Sequence, residues 1–266
     1  MNLRTYEIRG HAITAAVPSD YIADYWERVQ DGRWEKDAFD VFDRHVDAQT
    51  VCFDLGAYIG FTCTYLARRS KATHALEPDP EAYKYLDATI AANDLPNLKI
   101  YPYAAGGEES TVEIKSSYSG GNSGSSLLLK NPKTSWKVRM VDLNAFIDER
   151  VAPGDKVFLK MDIEGYEYTL LRAILPTLQR HRVTIFLALH PQIVAGTVTG
   201  NSPLDKIRRR IGLISAHHIL LNIRSVARSV RFAHGMESPD PIGHIYREIL
   251  LKGQLPEDRK ELIIQY

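Results

Sequence analysis

The chain has 266 residues, of which 44% are apolar, 25% charged and 9% aromatic. These are ordinary globular proportions and exclude a collagenous, coiled-coil or disordered chain. Lysine plus arginine equals aspartate plus glutamate at 33 each, so no global field draws the chain to nucleic acid or to an anionic membrane.

At this length about 73% of the unfolded surface can be buried, so a core is available without disulfide or metal staples. No window approaches the ~20 apolar residues of a membrane span. The start, Met1-Asn2-Leu3-Arg4-Thr5-Tyr6-Glu7, has no apolar run behind its charge. A cytoplasmic protein is expected. Cys52 and Cys63 are expected to be buried, reduced thiols. No cysteine or histidine spacing suggests zinc. His217-His218 could meet Asp162 at an ion, but nothing fixes that geometry, and no metal site is expected.

In chain order, residues 1–17 read as a short strand or hairpin. Ser19 can cap a helix running to about Gln30, with Ile22, Tyr25, Trp26 and Val29 on one face. A second helical stripe follows at Ala38, Phe39, Phe42 and Val46. Then come a strand at Thr50–Asp54, a helix at Phe61–Arg68, a strand at Thr73–Glu77, a helix from Pro80 to about Asn93, and a strand at Leu98–Tyr103. This β-α-β-α-β alternation at short spacing predicts a parallel sheet covered on both faces.

Strands at Val112–Lys115 and Trp136–Met140 flank a loop, Ser116–Ser126, made mostly of Ser, Gly, Asn and Tyr. It is either a mobile connection or a lid. A short helix at Asp142–Glu149 and a strand at Lys156–Met161 follow. A helix at Glu164–Leu175 is expected to stop at Pro176, ahead of a strand at Val183–Leu189. After a basic helix near Pro203–Ile211, the runs Ile219–Ile223 and Tyr246–Leu251 read as late edge strands. Residues 1–49 are expected to form a strand and helical extension packed on a core of residues 50–266, the whole being one compact unit.

Asp54-Leu55-Gly56-Ala57-Tyr58-Ile59-Gly60 lies where a strand turns into a helix, which is the usual ligand crevice of an open α/β sheet. Glycine lets backbone approach a ligand, and the helix start offers free N–H groups. The spacing is neither G-x-G-x-x-G nor a phosphate loop. An aspartate beside it is a poor neighbour for pyrophosphate and a good one for an ammonium or sulfonium. Glu77 ends the next strand, where an acid accepts hydrogen bonds from ribose hydroxyls. Together these features describe S-adenosylmethionine better than a nicotinamide dinucleotide. Ala104 and Ala105 could leave room for adenine, and Trp34 could roof the cofactor.

Three ordered segments carry a resemblance. Asp54–Phe61, Leu76-Glu77-Pro78-Asp79-Pro80 and Lys160-Met161-Asp162-Ile163-Glu164-Gly165 resemble the FkbM-type, class I S-adenosylmethionine-dependent methyltransferases, with the similarity covering about residues 50–190. The resemblance implies an α/β, Rossmann-like fold with a mostly parallel seven-stranded sheet, and methyl transfer to a hydroxyl of a sugar, glycan or secondary metabolite. The residues expected around the cofactor are Asp54, Gly56, Ala57, Tyr58, Gly60, Glu77, Pro78, Ala105 and Asp162.

Methyl transfer from a sulfonium is an in-line displacement with a good leaving group, so the protein must align the acceptor and take its proton. Asp162 is the first candidate at the reacting centre. His190, at the end of the next strand, is a candidate base because its pKa lies near neutrality. Glu164 is either a third member of this group or a first-turn helix charge. Lys160 receives no role. From Pro203 to His234, Lys206, Arg208, Arg209, Arg210, Arg224, Arg228 and Arg231 face Asp205 alone. This is either a solvated basic face or the mark of an anionic acceptor, and nucleic acid is the weaker option because no aromatics are interleaved. A homo-oligomer is compatible with the composition. The competing functions are a cofactor-binding partner subunit without turnover and an NAD-dependent oxidoreductase on the same fold.

Overall fold

The computed structural model describes residues 2–196, 202–252, 254–255 and 260–266. Its centre is a seven-stranded sheet built on β3 (Thr50–Leu55), β4 (Ala72–Leu76), β5 (Leu98–Tyr101), β9 (Lys156–Met161) and β10 (Thr184–Ala188), all parallel. β11 (Ser229–Phe232) and β12 (Glu261–Gln265) complete it in the order β11-β12-β10-β9-β3-β4-β5, with β12 antiparallel to both neighbours. The expected mostly parallel α/β sheet is present.

All six residues of β3 are buried, because a parallel sheet is covered on both faces and its strands read as unbroken apolar runs. Val51, Phe53 and Leu55 pack with Leu159, Met161, Ile185 and Leu187 on one side. That side is covered by α5 (Leu143–Asp148), α6 (Glu167–Arg180), the short α7 (Pro191–Ala195), α8 (Pro203–Val226) and α9 (Pro241–Lys252). Cys52, Phe158, Phe186 and Ile263 face the other side, against the hairpin β1 (Leu3–Ile8) and β2 (His11–Ala16), α1 (Asp20–Gln30), α2 (Lys36–His45) and α3 (Phe61–Arg69). Ser19 caps α1 as its sequence predicts, accepting from the Ile22 N–H. Cys52 and Cys63 are buried free thiols. β6 (Tyr103–Gly106), β7 (Ser110–Ser116) and β8 (Thr134–Asp142) form a second, three-stranded sheet, and α4 (Pro80–Ala91) is capped by Asp79.

Three expectations are corrected. Ile219–Ile223 and Tyr246–Leu251 are helical, inside α8 and α9; the late strands are instead Ser229–Phe232 and Glu261–Gln265. The buried positions Leu213, His217 and Leu220 of α8, and Ile242, Ile245 and Ile249 of α9, follow helical spacing. Pro176 does not stop α6, which runs on to Arg180. The lost N–H and ring clash cost about 3 kcal/mol, but the turn beyond buries Thr177 and Leu178 in the core. Finally, Glu164 precedes α6, which starts at Glu167, so the first-turn reading of Glu164 does not apply. Among the described residues, no helix is long and apolar enough to cross a membrane.

Candidate active site

The carboxyl ends of β3, β4, β9 and β10 deliver Gly56, Glu77, Asp162 and His190 to the rim of one cavity of about 470 Å³, a normal size for a small-molecule site. Tyr58, Pro78, Ala105 and Glu164 also line it, as do Trp34, Ala104, Asn122, Ser123 and Ser125. β12 runs the other way, so its first residue, Glu261, sits opposite Ala188 and reaches the same rim.

The turn after β3 is held from two sides. The Gly56 and Ala57 N–H groups donate to the Leu76 carbonyl, and the Asp162 N–H donates to the Leu55 carbonyl. Gly56 has φ +78°, and a Cβ there would lie 2.0 Å from the Asp162 carbonyl oxygen. Glycine is therefore required by the close approach of β9 as well as by the backbone conformation. Tyr58 also has positive φ, at 51°. Its N–H donates to Glu77 Oε2 (2.8 Å) and its hydroxyl to the Gly121 carbonyl (3.3 Å). Glu77 Oε1 accepts from the Asp79 N–H (2.8 Å). Burial, chiefly, pushes the Glu77 carboxyl up to about 7. Each carboxylate oxygen keeps a lone pair beyond these two bonds.

Asp54, Ala57 and Gly60 do not line the cavity. Asp54 is fully buried; it accepts from the Thr62 hydroxyl (2.5 Å) and pairs with Lys160 Nζ (3.2 Å). Asp54, expected beside the cofactor, sits instead behind Lys160, which lines the cavity in its place. Ala57 packs with Cys63, Ala75 and Leu86. Gly60 turns the chain into α3 at φ 104°.

Lys160, which has no role on the sequence reading, stands beside Asp54 in the β3–β9 register. Its Nζ also lies 3.6 Å from Asp162 Oδ2 and donates to the Gly56 carbonyl (3.2 Å). Burial works against its charge, but Asp54, Asp162 and Glu35 outweigh it and raise the lysine pKa. The available signal was alternation: Lys160 shares a strand face with buried Phe158, so it needed a buried partner.

Beside the other oxygen of Asp162, His190 Nε2 lies 3.4 Å from Oδ1 and 3.6 Å from Glu164 Oε1. His190 Nδ1 donates to Glu167 Oε1 at 2.8 Å. Burial opposes protonation of His190, yet the bond to Glu167 and the charges of Asp162, Glu167 and Glu164 raise its pKa to about 9. Burial, together with Asp162 and Glu167 and against His190, lifts Glu164 to about 7. Two further acids line the cavity without a sequence signal: Glu35, pushed up to about 8 by burial and then by Asp162, and Glu261, pushed up to about 7 by burial and then by Asp162.

One ligand atom each from Asp162, Glu164 and His190 falls within 4.8 Å of the others. His217 takes no part in this group. It is buried, donates from Nδ1 to the Leu213 carbonyl (2.7 Å) and accepts at Nε2 from the Tyr168 hydroxyl (3.0 Å). Burial holds its pKa down at about 4.

The Ser116–Ser126 loop is pinned over the cavity. Asp79 Oδ2 accepts from the Gly121 N–H (3.1 Å) and the Ser125 hydroxyl (2.6 Å), and the Ser126 hydroxyl donates to the Glu164 carbonyl (2.6 Å). None of the seven basic residues between Pro203 and His234 lines the cavity.

A sequence profile described as the methyltransferase FkbM domain matches residues 54–221, more than half of the chain. The chain belongs to the FkbM methyltransferase family. An uncharacterised protein of Methanocaldococcus jannaschii is 34% identical over 73 residues, 27% of each chain. A methyltransferase FkbM of Methylobacillus flagellatus KT shows 17% identity and a TM-score of 0.43, with 81% of this chain covering 43% of that one. A Streptococcus mutans protein solved in complex with SAH shows 12% identity and a TM-score of 0.41, over 86% of this chain and 96% of that one. The chain therefore spans under half the length of the first relatives it matches.

S-adenosylmethionine is the cofactor that FkbM membership implies, and the donor set fits it. Glu77 retains acceptor capacity for a ribose diol, Ala104 and Ala105 leave room for a flat ring, and Asp162 offers negative charge to a sulfonium or ammonium.

Proposed function

We propose that this FkbM-family chain is an S-adenosylmethionine-dependent O-methyltransferase whose acceptor is a hydroxyl on a sugar, glycan or secondary metabolite. The observation that carries the reading is the placement of His190 Nε2 beside Asp162 in the cavity that also holds Gly56 and Glu77. When bound, the cofactor supplies a methyl group activated on a positively charged sulfur that leaves as a neutral thioether.

The chain's own residues do the rest. Glu77 accepts from the ribose hydroxyls, and Asp162 faces the positive end. Asn122, Ser123 and Ser125 close the cavity against water. His190 Nε2 takes the acceptor's proton as the oxygen bonds to carbon. At neutral pH His190 must first lose a proton, which it does more readily once a second positive charge shares its carboxylates. The acids Glu35, Glu164 and Glu261 offer hydrogen-bond partners to a polyhydroxylated acceptor. The second reading, a binding subunit without turnover, shares every cofactor contact and differs only in the role of His190.

The test is SAH release against a panel of sugars, nucleotides and polyketide-like alcohols. A hydroxylated acceptor should be consumed, with no loss of rate in EDTA. His190→Gln should lower kcat about 10²-fold and leave cofactor affinity within about threefold. Tight NAD binding with no response to S-adenosylmethionine in titration calorimetry overturns the reading. Cofactor binding without turnover on any acceptor favours the binding subunit.

A further inference from the structure

Glu167 is fully buried at the first position of α6, and among the described residues its side chain pairs with no lysine or arginine. Its carboxylate instead meets three donors. Oε1 accepts from the Ile163 N–H (2.9 Å) and from His190 Nδ1 (2.8 Å), and Oε2 accepts from the Gly165 N–H (2.9 Å). The turn it holds is an unusual one, with Glu164 at φ 53° and Gly165 at φ 100°. One side chain thus ties the turn carrying Asp162 and Glu164 to the strand end carrying His190.

The two ring nitrogens of His190 are not equivalent in this setting. Both Glu167 oxygens already accept backbone N–H groups, so Nδ1 is the donor in its bond to Oε1. A neutral ring then holds its lone pair on Nε2, the nitrogen that faces Asp162 and Glu164 at the cavity. The groups around the ring are Asp162, Glu164 and Glu167 from the β9–α6 connection and α6, with Glu261 of β12 nearby.

We infer that Glu167 is the positioning residue of the site, fixing neutral His190 as the tautomer whose bare Nε2 faces the acceptor. This rests on the reading of His190 as the proton acceptor, but the tautomer can be measured without turnover. Glu167→Gln keeps the shape and supplies an amide N–H that can donate to Nδ1, which sends the ring proton to Nε2.

The experiment is imidazole ¹⁵N NMR on the full chain loaded with SAH, at a pH where His190 is neutral, with its signals assigned by their loss in His190→Gln. The wild type should carry the proton on Nδ1. Glu167→Gln should move it to Nε2, lower kcat about 10²-fold, and leave the SAH dissociation constant within about threefold. A wild-type ring protonated on Nε2 overturns the inference without any variant, so it stays testable if Glu167→Gln fails to fold. A Glu167→Leu protein, which offers Nδ1 no acceptor, overturns it too if it keeps the wild-type tautomer, since that is the result for a purely structural side chain. Should His190→Gln keep full turnover while the tautomer still switches in Glu167→Gln, the base assignment falls and the tautomer control by Glu167 stands.

Discussion

A buried ammonium is costly unless its charge is met, and Lys160 is met twice, by Asp54 and Asp162. Lys160→Met should therefore strand Asp54, which is fully buried, and lower the unfolding free energy by about 3–5 kcal/mol, read from urea denaturation. Adding Asp54→Asn should recover part of that loss, because the two groups are coupled. If the two single losses simply add, the pair is not the unit described here. Glu77 carries a different load: two backbone N–H groups in the free protein, and ribose hydroxyls once the cofactor is bound. Glu77→Ala should weaken S-adenosylmethionine binding by about 1–3 kcal/mol in titration calorimetry. An unchanged affinity would put the ribose elsewhere. Asp162, Glu77 and His190 were legible in the sequence because each closes an apolar strand. Lys160 could be read only from its alternation with Phe158, and Glu167 could not be read, since an acid in a first helical turn usually points to water.

At the scale of elements, Asp79 joins two of them. Oδ1 caps α4 by accepting from the Glu81 and Ala82 N–H groups, while Oδ2 holds Gly121 and Ser125 of the loop over the cavity. Asp79→Ala should cost about 1 kcal/mol of stability as a lost cap. It should also release the loop, raising the acceptor KM more than the cofactor dissociation constant. Limited chymotrypsin cleavage after Tyr118, which is 62% exposed, should accelerate in the same variant. Equal cleavage rates would mean that other contacts hold the loop. The strands β3, β4, β9 and β10 could be read directly because burial on both faces leaves continuous apolar runs. The same rule misled at Ile219–Ile223 and Tyr246–Leu251, where helices with a broad apolar face imitate such runs over five or six residues. Pro176 misled for another reason: packing beyond it outweighed the local cost of proline in a helix.

Across the whole molecule, the crowded acids make stability depend on pH in a definite direction. Glu35, Glu77, Glu164 and Glu261 titrate higher folded than unfolded, at about 8, 7, 7 and 7. The folded state therefore holds more protons, and each acid loses stability as pH rises from its unfolded value to its folded one. His190, raised from 6.5 to about 9, contributes stability below 6.5 that is lost by about 9. His74 and His217, held down at about 4, act in the opposite sense only below 6.5. Between pH 6.5 and 9 the signs agree, and Tm of the cofactor-free protein should fall by on the order of 5 °C in scanning calorimetry. A flat or rising Tm over that range would mean that the carboxylates are not crowded as described. The site's far wall was the least legible part, because Glu261 follows a segment whose pattern gave no hint of a returning strand. That strand, β12, slots between β10 and β11 rather than onto the outside of the sheet. A ribosome that has released everything up to Leu251 has thus still withheld an interior stave, and during synthesis the pocket is finished last, by residues made some two hundred positions after its glycine turn.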